Sequence, residues 1–228
     1  MNPNELTLTL ISGLGDGEYT ACLMSARALL DGRGLTDRHP SRVIRSLGIV
    51  INDRSWWRDD AERTAVLMPV ALDERLCASS VVATPEVERK RAYRCADMAC
   101  RVWAPRALRA AGRMSDAERL ESLAQVVDEQ TAADAYAAAL GARDAFVALV
   151  GVVVGAADVG AAADVAYAIT GHAAYAGHAA AHVADRAAPR AARARAVVDA
   201  AGYAGHAVGV AHRSEAIALL LELCEVQS

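Results

Sequence analysis

Aromatic side chains are scarce in this 228-residue chain, which has one Phe and three Trp, with aromatics at 4% overall. A core built from such a sequence is aliphatic and small, which favours close-packed helices over a β-sandwich. Lysine is nearly missing as well: Lys90 is the only one, and arginine carries the positive charge. With the abundance of Ala, Gly and Val, this points to coding by a GC-rich genome. The arginines are dispersed among acids and the net charge is −4. No basic block marks a nucleic-acid footprint, because the densest run, Arg186 to Arg195, is short and flanked by Asp185 and Asp199. Cys-x-x-Cys pairs are also absent. The five cysteines, Cys22, Cys77, Cys95, Cys100 and Cys224, are odd in number and embedded in apolar helical patterns, as expected of reduced thiols. The first residues, Met-Asn-Pro-Asn-Glu, lack the basic and apolar regions of an export signal, so a cytoplasmic location is expected. The longest apolar run, Ala145 to Ala157 between Asp144 and Asp158, falls short of the ~20 residues a bilayer requires, so no membrane partner is expected. No Walker loop, dinucleotide fingerprint, nucleophile elbow or kinase set is present, and no cofactor is expected.

What the chain does have is apolar content, at 54%, and alanine. From Thr131 to His212 it is close to a pure alanine-helix alphabet, and alanine is the best helix former. An alanine face buries little area, so these helices need a partner richer in Leu, Ile and Val, which the first half supplies. The resulting expectation is an all-α multi-helix bundle: an extended arm over 1–17, an N-terminal helical domain over 18–112, and an Ala-rich bundle with a Leu-rich terminal helix over 113–228.

Leu6 to Leu10 alternates like a strand, but no run of similar quality exists for it to pair with. Gly13, Gly15 and Gly17 then loosen the chain before a helix over Glu18 to Leu30, stopped by Gly32 or Gly34. A second helix carries Val43, Ile44, Leu47, Val50 and Ile51 and breaks at Asn52-Asp53. Asp59 with Glu62 has capping-box spacing and opens a third through Leu76, kinked at Pro69. Thr84-Pro85-Glu86 opens a fourth, running to about Trp103. Pro105 begins a short fifth, Ser115 caps a sixth from Asp116 to about Asp128, and Ser214 caps the last, through Ile217, Leu220, Leu221 and Leu223. Of the adjacent Trp56 and Trp57, one staples the third helix and the other sits at an interface.

The residues Cys22-Leu23-Met24-Ser25-Ala26-Arg27, Leu30-Asp31-Gly32, Thr36-Asp37-Arg38-His39-Pro40, Val43-Ile44, Asn52-Asp53, Arg63, Leu67-Met68-Pro69, Glu88, Arg91-Ala92, Asp97 and Arg101 carry a resemblance. Over about Cys22 to Leu108, and loosely over the closing Leu-rich helix, the chain resembles an uncharacterised all-helical family of actinobacterial and phage proteins with an Ala-rich tract. The unusual frequency of His and Gly in that tract is a departure. The resemblance implies a helical bacterial or phage protein and brings no activity with it.

Two constellations could carry chemistry. On a helical wheel Asp164, Tyr167, Tyr175, His178, His182 and Asp185 share one arc, opposite Ile169, Ala173, Gly177, Ala180 and Ala184. His178 and His182, four apart, can reach one metal ion with Asp185, His206 or His212 completing the shell, although no Glu sits between them as in a metalloprotease. Tyr175-Ala-Gly-His-Ala179 recurs as Tyr203-Ala-Gly-His-Ala207, so Tyr175, His178, His182, Tyr203 and His206 form a candidate ligand face. The bland reading is a small packed face backed by a solvated polar one. The second constellation is Asp37, His39, Asn52, Asp53, Asp97 and Arg101, an acid/base cluster if grouped. Taken singly, each has a structural role as a cap or an i, i+4 bridge. The expectation is therefore a non-enzymatic helical interaction protein that binds a protein partner or itself. The alternatives are a small-molecule or metal-binding protein using the His/Tyr face and, more weakly, a hydrolase-like enzyme using the Asp/His cluster.

Overall fold

A computed structural model describes residues 8–53, 57–110, 113–135, 137–139, 141–142 and 211–227. These residues are 66% helical and 3% strand, which makes the fold all-α as expected. The chain divides into two compact units, Met1–Arg91 with Arg213–Ser228, and Ala92–His212.

The first unit begins with two short strands, β1 (Thr9–Leu10) and β2 (Thr20–Ala21), paired in parallel with Thr9 opposite Thr20. The expected arm is therefore docked over its described residues, with Leu8 and Leu10 buried. The partner strand was illegible because it is two residues long and has no alternation to read. The outer edge of β1 is closed by α3 (Asp60–Leu72): Leu10 donates its N–H to Thr64 Oγ1 at 2.8 Å, and the Leu10 carbonyl accepts from Arg63. Between the strands, Asp16 Oδ1 accepts the N–H groups of Glu18, Tyr19 and Thr20, so the glycine-rich stretch is a built loop. These bonds hold the Asp16 carboxyl at about 2. Gly15 has φ +82° and lies so close to the Thr20 carbonyl that a Cβ has no room.

Helix α1 (Leu23–Leu30) starts later than the sequence suggests, because Cys22 in extended conformation caps it by accepting from Ser25 N–H. It ends where expected. Gly32 at φ +71° donates to Leu29 O and Arg33 to Ala28 O, the paired bonds of a Schellman motif. Nearly every α1 side chain is buried, and the helix packs on both α2 (Arg42–Asp53) and α3. Helix α2 is capped by Ser41 Oγ, which accepts from Ile44 N–H.

Helix α3 has the predicted Asp59 cap, its carboxylate accepting from Glu62 N–H at 2.7 Å. The Glu62 carboxylate bonds Arg58 N–H, one residue outside the expected partner. The helix passes Pro69 and stops at Leu72. A 3₁₀ turn, Glu74–Leu76, follows because Asp73 becomes a new cap for Arg75 N–H. The closing helix of the unit, which we label α7 (Ala211–Glu225), buries Ala216, Leu219, Leu220, Leu223 and Cys224, one stripe at helical spacing. It begins before Ser214, which is therefore inside the helix and not its cap. Near its start Arg213 stacks 4.8 Å from the Trp57 ring centroid and pairs with Glu62. Trp57 is buried with its indole N–H on Ile51 O, whereas Trp56 lies outside the described residues.

The helix that starts as α4 (Pro85–Met98), whose first residues belong to the first unit, does not break at Pro105. It passes through a π-helical segment, Ala99–Trp103, into α5 (Ala104–Ala110). Pro105 offers no N–H to Arg101 O and its ring crowds that carbonyl; the wider turn, with Ala104 N–H on Ala99 O, removes the conflict. Helix α6 (Met114–Glu121) starts one residue before Ser115 and ends well before Asp128, so Ser115 is not its cap. Asp128 caps the helical residues that follow, accepting from Thr131 N–H at 2.8 Å. In that described beginning of the alanine-rich tract, Ala132, Ala135, Ala139 and Ala142 are buried, the last two beside Leu108 and Leu120. Among the described residues no helix is long and apolar enough to cross a membrane.

Candidate functional site

A dense polar cluster forms where α1 ends. Asp31 follows the helix directly, and its side chain is 5% exposed. Its Oδ1 accepts from Arg27 Nη2 at 2.6 Å, Arg27 Nε at 2.9 Å and the Cys77 thiol at 3.1 Å. Its Oδ2 accepts from Arg33 and from Ala78 N–H at 3.2 Å. These donors outweigh the burial that opposes them and hold the Asp31 carboxyl at about 2. Arg27 also donates to the carbonyls of Ala71 and Asp73, where α3 ends. One carboxylate and one guanidinium thus tie the α1 exit to the α3 exit. Arg27 with Asp31, at i, i+4 beside a helix-stopping glycine, is the signal that could have found the pair.

His39 sits beside this region, 8% exposed. Its Nδ1 is 3.2 Å from Ser41 N and 3.3 Å from Ser41 O, and its Nε2 is 3.3 Å from Leu76 O. Burial pushes its pKa down, against the pull of the carbonyls, with Arg33 and Arg91 adding repulsion. Asp37, from the same loop, pairs with Arg45 and does not share a cluster with His39 through any described bond. Asn52 is fully buried: its Oδ1 accepts the otherwise orphaned Leu23 N–H of α1 at 3.0 Å, and its Nδ2 donates to Ile11 O and Asp53 Oδ1. Asp53 Oδ1 takes Gly13 N–H. This pair fastens the strand loop to the first two helices.

Asp97 and Arg101 belong to the second unit. Asp97 Oδ1 accepts from Arg101 at 2.9 Å and from Val126 N–H at 2.9 Å, and Oδ2 accepts from Arg94. The buried carboxylate anchors the extended segment after α6. Of the six residues that could have formed an acid/base cluster, Asn52 and Asp53 share one hydrogen-bonding site and Asp97 and Arg101 another, while Asp37 and His39 have partners of their own.

Arg91 was not singled out by sequence reasoning for any role of its own. Its side chain has no exposure, and it donates Nε to Leu223 O at 2.8 Å and Nη2 to Val226 O at 3.2 Å, and Nη1 to both Val82 O and Glu88. Glu88 Oε2 meanwhile accepts the first N–H groups of α2, from Arg42 and Val43. A charge at the centre of the Val87, Arg91, Cys95 stripe, each residue four from the last, is its sequence signal.

Tyr175, His178, His182, Asp185, Tyr203 and His206, with Ala173 and Ala180, lie outside the described residues. Among the described residues no group of three His, Cys, Asp or Glu is placed to hold a metal ion. Compared with family models, curated proteins and solved structures, the chain matches none.

Proposed function

We propose that this chain is a non-enzymatic, cytoplasmic helical interaction protein that works through its packed helices and binds a protein partner or a second copy of itself. The observation that carries this reading is how the buried polar side chains are used. Asn52, Asp97, Arg27 and Arg91 direct their hydrogen bonds at backbone groups where helices and loops begin or end. A catalytic acid or base needs a free face toward substrate, whereas the buried Asp97 carboxylate is taken by Val126 N–H, Arg94 and Arg101 together. Asp37 pairs with Arg45, and Asp53 Oδ1 accepts from Gly13 N–H and the Asn52 amide. The side chains left outward include Leu14 and Tyr19 on the strand loop and Leu35, which packs against Gly17 of that loop. Exposed apolar residues of this kind suit contact with another protein.

Native mass spectrometry of the full chain, purified from its own host, tests the reading. A dimer or a stoichiometric protein complex is the expected result. A monomer retaining a metal ion or small molecule would overturn it in favour of a ligand-binding protein acting through Tyr175, His178, His182, Tyr203 and His206.

A further inference from the structure

His39 joins two segments that are far apart in the chain, and the chemistry of its ring makes the joint sensitive to acid. Ser41 N–H points at Nδ1, and that nitrogen can accept only when it carries no proton. The proton of the neutral ring then sits on Nε2 and donates to Leu76 O. Both bonds serve structure. Ser41 caps α2, and Leu76 closes the 3₁₀ turn just before Cys77 and Ala78, which bond Asp31.

We propose that His39 is an acid-released latch that holds the loop between α1 and α2 onto the turn at Leu76. A second proton on the ring places two N–H groups face to face at Nδ1 and Ser41 N. Ser41 O, 3.3 Å from Nδ1, is the acceptor left to that proton, and using it gives up the Ser41 N–H bond. The added charge is buried and meets two cations, Arg33 from the loop after α1 and Arg91 from α4. Their acids, Asp31 and Glu88, are already engaged by those arginines and by backbone N–H groups, and Asp37 of the same loop is held by Arg45. None of these three carboxylates is therefore free to accept the imidazolium, and the protonated ring is better solvated with the loop detached.

Amide hydrogen exchange on the full-length protein, corrected for the intrinsic pH dependence of exchange, reads the latch at Ser41 and Ala78. From pH 7.5 to 5.0 their opening equilibrium is expected to rise, most steeply below ~6.5 and by no more than about tenfold per pH unit, the limit for one proton. Leu120, in the second unit, serves as the internal reference and is expected to stay flat. In His39→Gln the dependence is expected to vanish. Imidazole ¹⁵N shifts of the unaltered protein provide a second readout that needs no variant, and are expected to place the neutral proton on Nε2. A flat profile at Ser41 and Ala78, an equal rise at Leu120, an undiminished rise in His39→Gln, or a neutral proton on Nδ1 would each overturn the proposal.

Discussion

Replacing Arg91 by Met removes a buried guanidinium while keeping much of its apolar stem. Three carbonyls, Val82, Leu223 and Val226, lose their donor, and the partly exposed Glu88 loses its cation. Breaking a buried charge pair from one side costs about 3–5 kcal/mol, because the remaining groups stay desolvated without partners. At 1.36 kcal/mol per decade, that is roughly two to four decades in the opening equilibrium of α7. Hydrogen exchange at Leu219, Leu220 and Leu223 measures it directly, and urea denaturation of the same variant gives the global value. Arg91→Lys is expected to restore only part of the loss, since an ammonium cannot fork toward four acceptors on separate segments. Glu88→Gln is expected to cost less in the Arg91→Met background than in the unaltered chain, because the ion pair it would break is then already gone. A change of less than tenfold in α7 opening for Arg91→Met would refute the view that this side chain clamps the helix.

Asp31→Asn is expected to destabilise the chain by about 3 kcal/mol at pH 7 and to flatten its acid limb. The native carboxyl titrates at about 2, below its ordinary 3.8, so its contribution is complete above ~4 and is lost as pH falls toward 2; thermal melts across pH 7 to 2 check this. Asn52→Ala is expected to cost about 2–4 kcal/mol in urea denaturation, since Leu23 N–H and Ile11 O are left inside without partners. Gly15→Ala and Gly13→Ala both place an L residue at positive φ, but only Gly15 abuts the Thr20 carbonyl, so its replacement is expected to lower the melting temperature clearly more. Zinc is expected to leave the melting temperature unchanged; a rise abolished by His178→Asn with His182→Asn would favour a metal site on the alanine-rich tract.

The local starts and stops that were legible in the sequence are those whose physics is local. Asp59 caps α3, Thr84 caps α4 at 3.3 Å from Val87 N, and Gly32 ends α1. The all-α class was legible for the same reason, because helical periodicity and caps recur along the chain. Ser115 and Ser214 misled because spacing alone cannot say whether the backbone before a serine is already helical. Pro105 misled in the opposite direction: a proline normally ends a helix, and only the π-helical turn ahead of it lets this one continue.

The candidate site was less legible than the fold. Asp37, His39, Asn52, Asp53, Asp97 and Arg101 were recognisable from sequence as polar residues worth attention, and the structure assigns each a partner that composition and spacing could not name. Asn52 meets Leu23 and Ile11, 29 and 41 residues away, and Arg91 meets Leu223 and Val226 across 132 and 135. Helix propensity, caps and apolar stripes are properties of neighbouring residues, so the helical class and many of the helix starts follow from the order of residues alone. Which buried charge satisfies which distant backbone group depends on how the helices pack, because a desolvated donor takes whatever acceptor the packing brings to it.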